Sequence, residues 1–146
     1  MAKGQDKRAA LPPASKDRKE VRVTPQSANT MHPLWAFRFL DCDCPWCWNS
    51  LHGTALVDVM AHLANYESMT WAQIEQGSGS HFVSTTDLIK VARVRLVEIN
   101  QDDVDSLFSL RIGGKGRIWG IRDEHVLRIL WWDAEHKVCP SPKKHT

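Results

Sequence analysis

Two arginines and a histidine in the last third of the chain have the residue types and spacing for acid–base chemistry on a phosphate. Arg111 and Arg117 lie in segments with strand-like alternation, and His136 follows the last such segment by a few residues. A guanidinium binds phosphate through paired hydrogen bonds and stays charged at any working pH, whereas an imidazole exchanges protons near neutrality. Metal-free cleavage of RNA needs both functions, with the substrate's own 2′-hydroxyl as the nucleophile. We therefore predict a catalytic set formed by His136, Arg117 and Arg111.

The same region carries further groups suited to binding RNA. Residues 106–146 hold eight basic and four acidic side chains, a balance that favours a polyanionic partner. Trp131 and Trp132 are neighbours on one predicted strand, so their rings point to opposite faces, and one of them could stack on a base. The predicted RNA-binding residues are Arg128, Trp132, Lys137, Lys143 and Lys144.

Each of these assignments has a plainer alternative. A surface arginine on a sheet is usually solvated or paired with a carboxylate, and acidic residues are available at positions 123, 124, 133 and 135. His136 could simply satisfy Asp133, and one tryptophan could cover the sheet beneath a helix or a partner protein. The sequence leaves these alternatives open.

Three cysteines and a histidine form a second candidate cluster with a different chemistry. Structural zinc needs four sulfur or nitrogen ligands in a tetrahedron, and the stretch from 42 to 52 offers Cys42, Cys44, Cys47 and His52. The fourth ligand could equally be the distant Cys139, and there is no second Cys-x-x-Cys pair. Free thiols in a reducing compartment are the favoured interpretation, so we predict no metal and no cofactor.

Composition and charge predict one soluble domain preceded by a basic arm. The 146 residues are 42% apolar and 25% charged, which is ordinary for a globular chain, and no apolar run is long enough to span a bilayer. Residues 1–30 lack apolar periodicity and hold seven basic and three acidic side chains. We predict a disordered arm over 1–30, a single domain over 31–146, and a cytoplasmic location because no secretory signal is recognisable.

Periodicity predicts an α+β domain with an N-terminal strand, two or three helices on one sheet face, and a three-stranded antiparallel meander. Alternating aromatic residues predict the first strand near 35–40, and helical periodicity predicts helices over 54–67, 70–77 and 85–100. The meander is predicted from β-rich runs at 106–112, 117–122 and 126–132, separated by short glycine- or aspartate-containing breaks. The glycine- and serine-rich stretch 77–84 is interpreted as a loop, from which His81 could reach the sheet surface, although an exposed loop histidine is the favoured interpretation.

Side-chain alternation sorts the candidate arginines by face. If the side chains at 108, 110 and 112 face the helices, Arg111 faces outward with its neighbours at 107 and 109. Arg117 and Arg122 lie on opposite faces because their spacing is odd, unless the strand bulges. Arg128 is expected to share a face with Trp132 on the last strand.

Three short runs, FRFLD at 37–41, SMTWAQI at 68–74 and WWD-x-EHKV at 131–138, are similar to runs in a group of uncharacterised bacterial and phage-associated proteins. The order of elements resembles the RelE/ParE superfamily, whose toxins cleave messenger RNA or poison DNA gyrase. RNA-cleaving toxins of the RelE type often use a tyrosine late in the chain, whereas the one tyrosine here is Tyr66, in the first predicted helix. The resemblance therefore implies a toxin-type α+β fold and leaves the acid–base role to His136.

The leading hypothesis is a toxin-type protein of a bacterial toxin–antitoxin or prophage system that cleaves messenger RNA without a metal. Its partners would be RNA or the ribosome and a cognate antitoxin, with neither a membrane nor a small-molecule cofactor. The alternative is a non-enzymatic module that uses the same basic face to engage gyrase, the ribosome, a nucleic acid or a partner protein. Charge and motif spacing do not separate the two hypotheses.

Overall fold

The computed structural model describes residues 28–140. The predicted disordered arm falls almost wholly outside this range. Within the described part of that arm, Ala28 is buried, and Asn29 accepts a hydrogen bond from Arg122. Residues 28 and 29 therefore pack with the domain, on the N-terminal side of the predicted boundary at residue 31.

Three α-helices and five β-strands make up the described region. The helices are α1 (Gly53–Glu67), α2 (Trp71–Gly77) and α3 (Lys90–Glu98). The strands are β1 (Leu34–Ala36), β2 (His81–Ser84), β3 (Ser106–Ile112), β4 (Gly116–Asp123) and β5 (Val126–Asp133). Short 3₁₀ turns occupy Trp48–Ser50 and Thr85–Asp87. No helix between residues 28 and 140 is long and apolar enough to cross a membrane.

Local hydrogen bonds explain where α2 and the 3₁₀ turn before α3 begin. The Thr70 side chain accepts from the backbone N–H of Gln73, whose side chain accepts from the backbone N–H of Thr70, and this capping box starts α2. The helix predicted over 85–100 is shorter than expected. Ser84 accepts from the backbone N–H of Thr86 and holds a 3₁₀ turn ahead of α3.

The five strands form one mixed sheet in the order β1-β5-β4-β3-β2, with β1 parallel to β5 and all other neighbours antiparallel. The predicted α+β class is confirmed. The predicted three-stranded antiparallel meander is wrong as a description of the sheet, because β3, β4 and β5 form its centre and β1 and β2 extend both edges. The stretch predicted as a loop contains β2, which is only four residues long and takes its backbone partners from β3.

Both faces of the sheet are covered, which corrects the prediction of helices on one face. α1 and α2 pack on the face that carries Phe108 and Leu110. α3 and the loop around Trp46 pack on the opposite face, which carries Leu107. Leu107 and Ser109, expected to face outward, are therefore buried. We call these two sides the α1 face and the α3 face.

A bulge between β4 and β5 shifts the alternation of side chains along β5. Trp119 pairs with Trp131 and Gly120 pairs with Ile129, so Leu130 is an extra residue on β5 at this point. A side chain on Gly120 would collide with a backbone carbonyl of β5. The close approach of the two strands therefore requires glycine here.

The bulge places Arg128 and Trp132 on opposite faces, which corrects the prediction that they share one. Arg128 lies over the ring of Phe39, which packs against the α3-face core. Trp132 stacks on Trp48, and both pack against the α1-face core. Trp131 is buried in the α3-face core, so the two adjacent tryptophans do point to opposite faces, as predicted.

Asp41, the last residue of the FRFLD run, is buried and fully paired. Arg95 of α3 donates to both carboxylate oxygens, through Nε and Nη2, each at 2.7 Å, and Trp131 donates through its indole N–H at 3.0 Å. Burial alone would raise the pKa of Asp41, but the hydrogen bonds from Arg95 and Trp131 outweigh it and hold the pKa well below its ordinary value. This ion pair fixes α3 to the sheet.

Candidate functional site

A cavity of about 300 Å³ opens on the α3 face at the end of the sheet where β4 begins and β5 ends. Two imidazoles, one guanidinium and one hydroxyl line it, from His81, His136, Arg117 and Ser109. Trp119 forms its apolar floor. We call it the His136 cavity. Two of the three residues predicted as catalytic, His136 and Arg117, therefore share one cavity.

Asp133 holds the turn that carries His136. Its carboxylate is buried and accepts three hydrogen bonds: from the indole N–H of Trp119 at 3.1 Å and from the backbone N–H groups of Lys137 at 2.8 Å and Val138 at 2.9 Å. His136 has a φ of 57°, in the left-handed region that few non-glycine residues adopt. Within residues 28–140 the His136 ring has no hydrogen bond. Asp133 therefore positions the turn, and the imidazole stays available to a ligand in the cavity.

Arg117 is a buried cation without a carboxylate partner in the described part of the chain. Its Nη1 donates to the backbone carbonyls of Gly114 and Gly116, both at 2.9 Å. On β4, Arg117 pairs with Arg111 of β3 on one side and with Asp133 of β5 on the other. Burial and then the charge of Arg111 lower the pKa of Arg117, and Asp133 opposes them. Because a guanidinium stays protonated in proteins, the cavity keeps a positive charge that an anion would neutralise.

Arg111 flanks the cavity instead of lining it. Its Nε donates to the carbonyl of Gly113 at 2.9 Å, and its own carbonyl accepts from the hydroxyl of Tyr66 at 2.6 Å. The guanidinium lies against Gly79, where a Cβ atom would come 3.0 Å from Nη1 and where φ is +84°. Gly79 also lines the His136 cavity. Tyr66, which lacked a role in the sequence interpretation, fixes the backbone of Arg111.

His81 lines the cavity and is exposed, whereas the sequence interpretation favoured an exposed loop position over one at the sheet surface. It pairs with Ser109 in the β2–β3 ladder, so both side chains project to the α3 face. Its Nδ1 donates to the carbonyl of Gly79 at 3.3 Å, so Nε2 is an acceptor in the neutral ring and a second donor in the imidazolium. The signal was present in the sequence, since His81 and Val83 alternate with Phe82, but four residues between glycine-rich and threonine-rich stretches are too few to identify a strand.

The surroundings of His136 favour its neutral form. Burial lowers the pKa of His136, and the charge of Arg117 acts in the same direction, with smaller contributions from His81 and Arg111. Asp133 opposes them. The net direction of the pKa is downward from the ordinary value, which favours the neutral imidazole, the form that accepts a proton.

Several residues predicted to bind RNA do not join this cavity. Arg128 lies near the start of β5, five residues before Asp133, or about 17 Å along an extended strand. Trp132 is on the α1 face, against Trp48 at a ring separation of 6.1 Å. Lys137 is exposed and contributes its backbone N–H to Asp133. Lys143 and Lys144 lie outside the described residues.

The cysteine cluster does not form a metal site in the described region. Cys42 is exposed, Cys44 is buried, and Cys47 is half-buried. Burial, together with the nearby charge of Asp41, raises the pKa of the Cys44 thiol to about 12. Between residues 28 and 140, no group of three or more His, Cys, Asp or Glu side chains is arranged to hold a metal ion, so the proposed ligands, including His52, are not brought together.

Comparisons of the chain with protein-family models, with curated proteins and with solved structures found no match. The resemblance to RelE/ParE toxins therefore stays a prediction. The proposals below depend on the geometry and charge of the cavities.

Proposed function

We propose that this protein is a toxin-type endoribonuclease that binds a phosphate of RNA in the His136 cavity and cleaves the chain without a metal. The observation that carries the proposal is the buried charge of Arg117, which has no carboxylate partner among residues 28–140 and faces two imidazoles across one cavity. A buried cation is costly unless something compensates it. A phosphate group supplies that compensation and brings the scissile bond to the imidazoles.

The chemistry requires one proton acceptor and one proton donor. His136 takes the proton from the 2′-hydroxyl as that oxygen forms a bond to the neighbouring phosphorus. The bond from phosphorus to the 5′-oxygen breaks, and His81, acting in its imidazolium form, gives that oxygen the proton on Nε2. The products are a 2′,3′-cyclic phosphate and a 5′-hydroxyl end, so atoms and charge balance. Each positioned proton transfer typically contributes about 10²–10⁴ in rate.

Arg117 and Arg111 stabilise the negative charge that builds on the non-bridging oxygens. Arg117 uses Nη1 for two carbonyls of the β3–β4 turn, so its Nε and Nη2 groups remain for phosphate. Arg111 approaches from the neighbouring strand, beside Gly79. Donors held by the backbone in this way need little rearrangement during the reaction, which is the basis of electrostatic catalysis.

The test is cleavage of single-stranded RNA by the purified full chain in the presence of a metal chelator. The expected result is accumulation of 2′,3′-cyclic ends and no cleavage where a 2′-deoxynucleotide replaces the nucleotide at the scissile bond. His136→Ala and His81→Ala should each reduce the rate by at least about 100-fold. His52→Ala is the matched control, because His52 is exposed and makes no capping hydrogen bond.

Two results would overturn the assignment to cleavage. If the chain binds RNA through Arg117 but leaves it intact, the protein is the non-enzymatic binding module. If cleavage proceeds normally in both histidine variants, the reaction takes place elsewhere on the chain. Induced expression in a bacterium lacking an antitoxin adds a cellular readout, with arrested growth expected for the wild type and normal growth for His136→Ala.

A further inference from the structure

A second cavity lies on the opposite side of the β3–β4 turn from the His136 cavity. It encloses about 420 Å³ between α1 and the turn, and its walls include Ala55 and Asp58 of α1 and Trp132 of β5. This volume is within the range of about 300–1,000 Å³ that is usual for small-ligand pockets. We call it the Trp132 cavity.

The ring of Trp132 is held as a fixed, half-buried wall. Trp48 packs against it in a tilted arrangement, with ring centroids 6.1 Å apart and an angle of 37° between the planes. Gly116 lies against the rim of the indole, where a Cβ atom would come 2.7 Å from Cη2. Any larger residue at 116 would push the indole out of place. A preorganised aromatic surface of this kind stacks on nucleobases at little cost in conformational entropy.

The two cavities are joined by the turn that separates them. Gly114 and Gly116 line the Trp132 cavity, and their carbonyls accept the two hydrogen bonds from Arg117, which lines the His136 cavity. The exposed pair of Lys115 and Glu135, 3.3 Å apart, links this turn to the segment that precedes His136. A nucleic-acid strand that crosses the turn would therefore have a phosphate on one side and a base on the other.

On the α1 side the polar groups of the Trp132 cavity are hydrogen-bond acceptors, and the one ammonium group of its lining, on Lys115, is paired with Glu135. The Asp58 carboxylate makes no ion pair or hydrogen bond within the described part of the chain, and it lines the cavity. His62 Nδ1 donates to the backbone carbonyl of Asp58 at 2.9 Å, so in the neutral ring Nε2 is an acceptor. Two acceptors suit a base edge that carries an amino group, as cytosine, adenine and guanine do and uracil does not.

We propose that the Trp132 cavity is a nucleobase subsite that stacks a base on Trp132 and selects amino-bearing bases over uracil. The inference rests on the proposed function, because the base belongs to the RNA whose phosphate lies in the His136 cavity. Neither Trp132 nor Asp58 takes part in the chemical step. They hold the substrate and set its sequence preference.

The test measures binding of uncleavable 2′-deoxy tetranucleotides to the full chain. A deoxycytidine tetranucleotide should bind about 5- to 150-fold more tightly than an abasic tetranucleotide with the same phosphates, which corresponds to one stacked base. Its base protons should shift upfield in NMR spectra because they lie over the indole. Trp132→Leu should abolish the difference between the two ligands and leave the affinity for the abasic chain unchanged.

A second variant avoids any dependence on removing Trp132. Ala55→Phe fills the cavity and deletes no contact, so it should also abolish the base-dependent affinity. Val57→Phe adds the same ring to α1 at an exposed position outside the cavity, and it should behave as wild type. Asp58→Asn should reduce the preference for deoxycytidine over deoxyuridine tetranucleotides.

The outcomes separate this inference from the proposed function. If Trp132→Leu and Ala55→Phe both keep the base-dependent affinity, the nucleobase subsite is wrong even where RNA is cleaved. If the base-dependent affinity is lost in both variants while wild-type protein fails to cleave RNA, the subsite stands and the catalytic proposal fails. Equal weakening of abasic and cytidine ligands in both variants would assign Trp132 a structural role and overturn the subsite.

Discussion

Two arginines on the same strand, Arg117 and Arg122, show how differently a buried cation can be accommodated in this fold. Arg122 lies on the α1 face, where Glu75 binds its Nη1 at 2.5 Å and Asn29 accepts from Nη2 at 3.1 Å. Its guanidinium also stacks 4.2 Å from the ring centroid of Trp71. Arg117, on the α3 face, binds two backbone carbonyls and forms no ion pair within the described region, although Asp133 lies on the neighbouring strand.

The difference indicates which arginine is structural. Every donor group that Arg122 turns to its surroundings meets an oxygen or an aromatic face of the protein itself. Arg117 keeps donors free beside an open cavity. An arginine that is already ion-paired within the fold has no free donors for a ligand. An arginine without an ion-pair partner favours the binding of an anion.

The largest effect on stability is expected from Glu75→Gln. This change leaves Arg122 buried without an ion-pair partner, as Arg117 already is. It should lower the free energy of unfolding by about 3 kcal/mol. Arg117→Gln should leave that free energy unchanged or raise it, because it removes an unpaired cation. Urea unfolding of both variants checks the pair. A loss of similar size in Arg117→Gln would mean that Arg117 is structural and would break the comparison.

Phosphate should stabilise the wild-type protein through Arg117. An anion that binds only the folded state at 100 times its Kd adds about 2.7 kcal/mol to the free energy of unfolding. The thermal midpoint should therefore rise with inorganic phosphate and not with sodium chloride at the same ionic strength. Arg117→Gln should abolish the rise, and Lys90→Gln, on the exposed side of α3, should keep it. An equal rise in both variants would place the anion elsewhere.

The sequence predicted the parts of the fold and site that depend on local signals. The capping box at Thr70, the three central strands and the opposite faces of Arg117 and Arg122 all follow from spacing of a few residues. So does the position of His136 beyond the last strand. Each of these requires only the helical or strand period and a recognisable break.

The missed features depend on contacts between distant segments. β2 exists because β3 supplies its partners, and without that strand His81 could not be assigned to the cavity. The bulge at Leu130 arises from the close approach at Gly120, and it reversed the predicted face of Trp132 relative to Arg128. Alternation alone cannot reveal an extra residue in a strand, so any face assignment beyond such a point is inverted.

Asp133→Asn tests whether the fold prepares His136 for the cavity. The Asp133 carboxylate accepts from Trp119, Lys137 and Val138, and an amide with one oxygen cannot satisfy all three donors. The expected loss is about 2 kcal/mol in the free energy of unfolding, with slower RNA cleavage than the lost stability explains. If cleavage and phosphate binding are unchanged, the turn does not depend on Asp133.

The smallest expected effect is a pH dependence carried by His136. Burial, Arg117, His81 and Arg111 lower its pKa in the folded protein, against the opposing charge of Asp133, while the unfolded chain titrates near the ordinary value of 6.5. Between those two values the unfolded state binds more protons. The free energy of unfolding therefore rises as the pH rises toward 6.5. The contribution of His136 to it is lost as the pH falls through this window.

His136→Gln should show a shallower loss of stability than the wild type when the pH is lowered from about 7.5 to about 5.5. Phosphate sharpens the test, because an anion beside the imidazole favours its protonated form and raises the pKa of His136. The slope of stability against pH should then flatten in wild type and stay unchanged in His136→Gln. If phosphate stabilises the protein without changing the slope, it binds Arg117 at a distance from His136. Another side chain would then have to accept the proton in the proposed reaction.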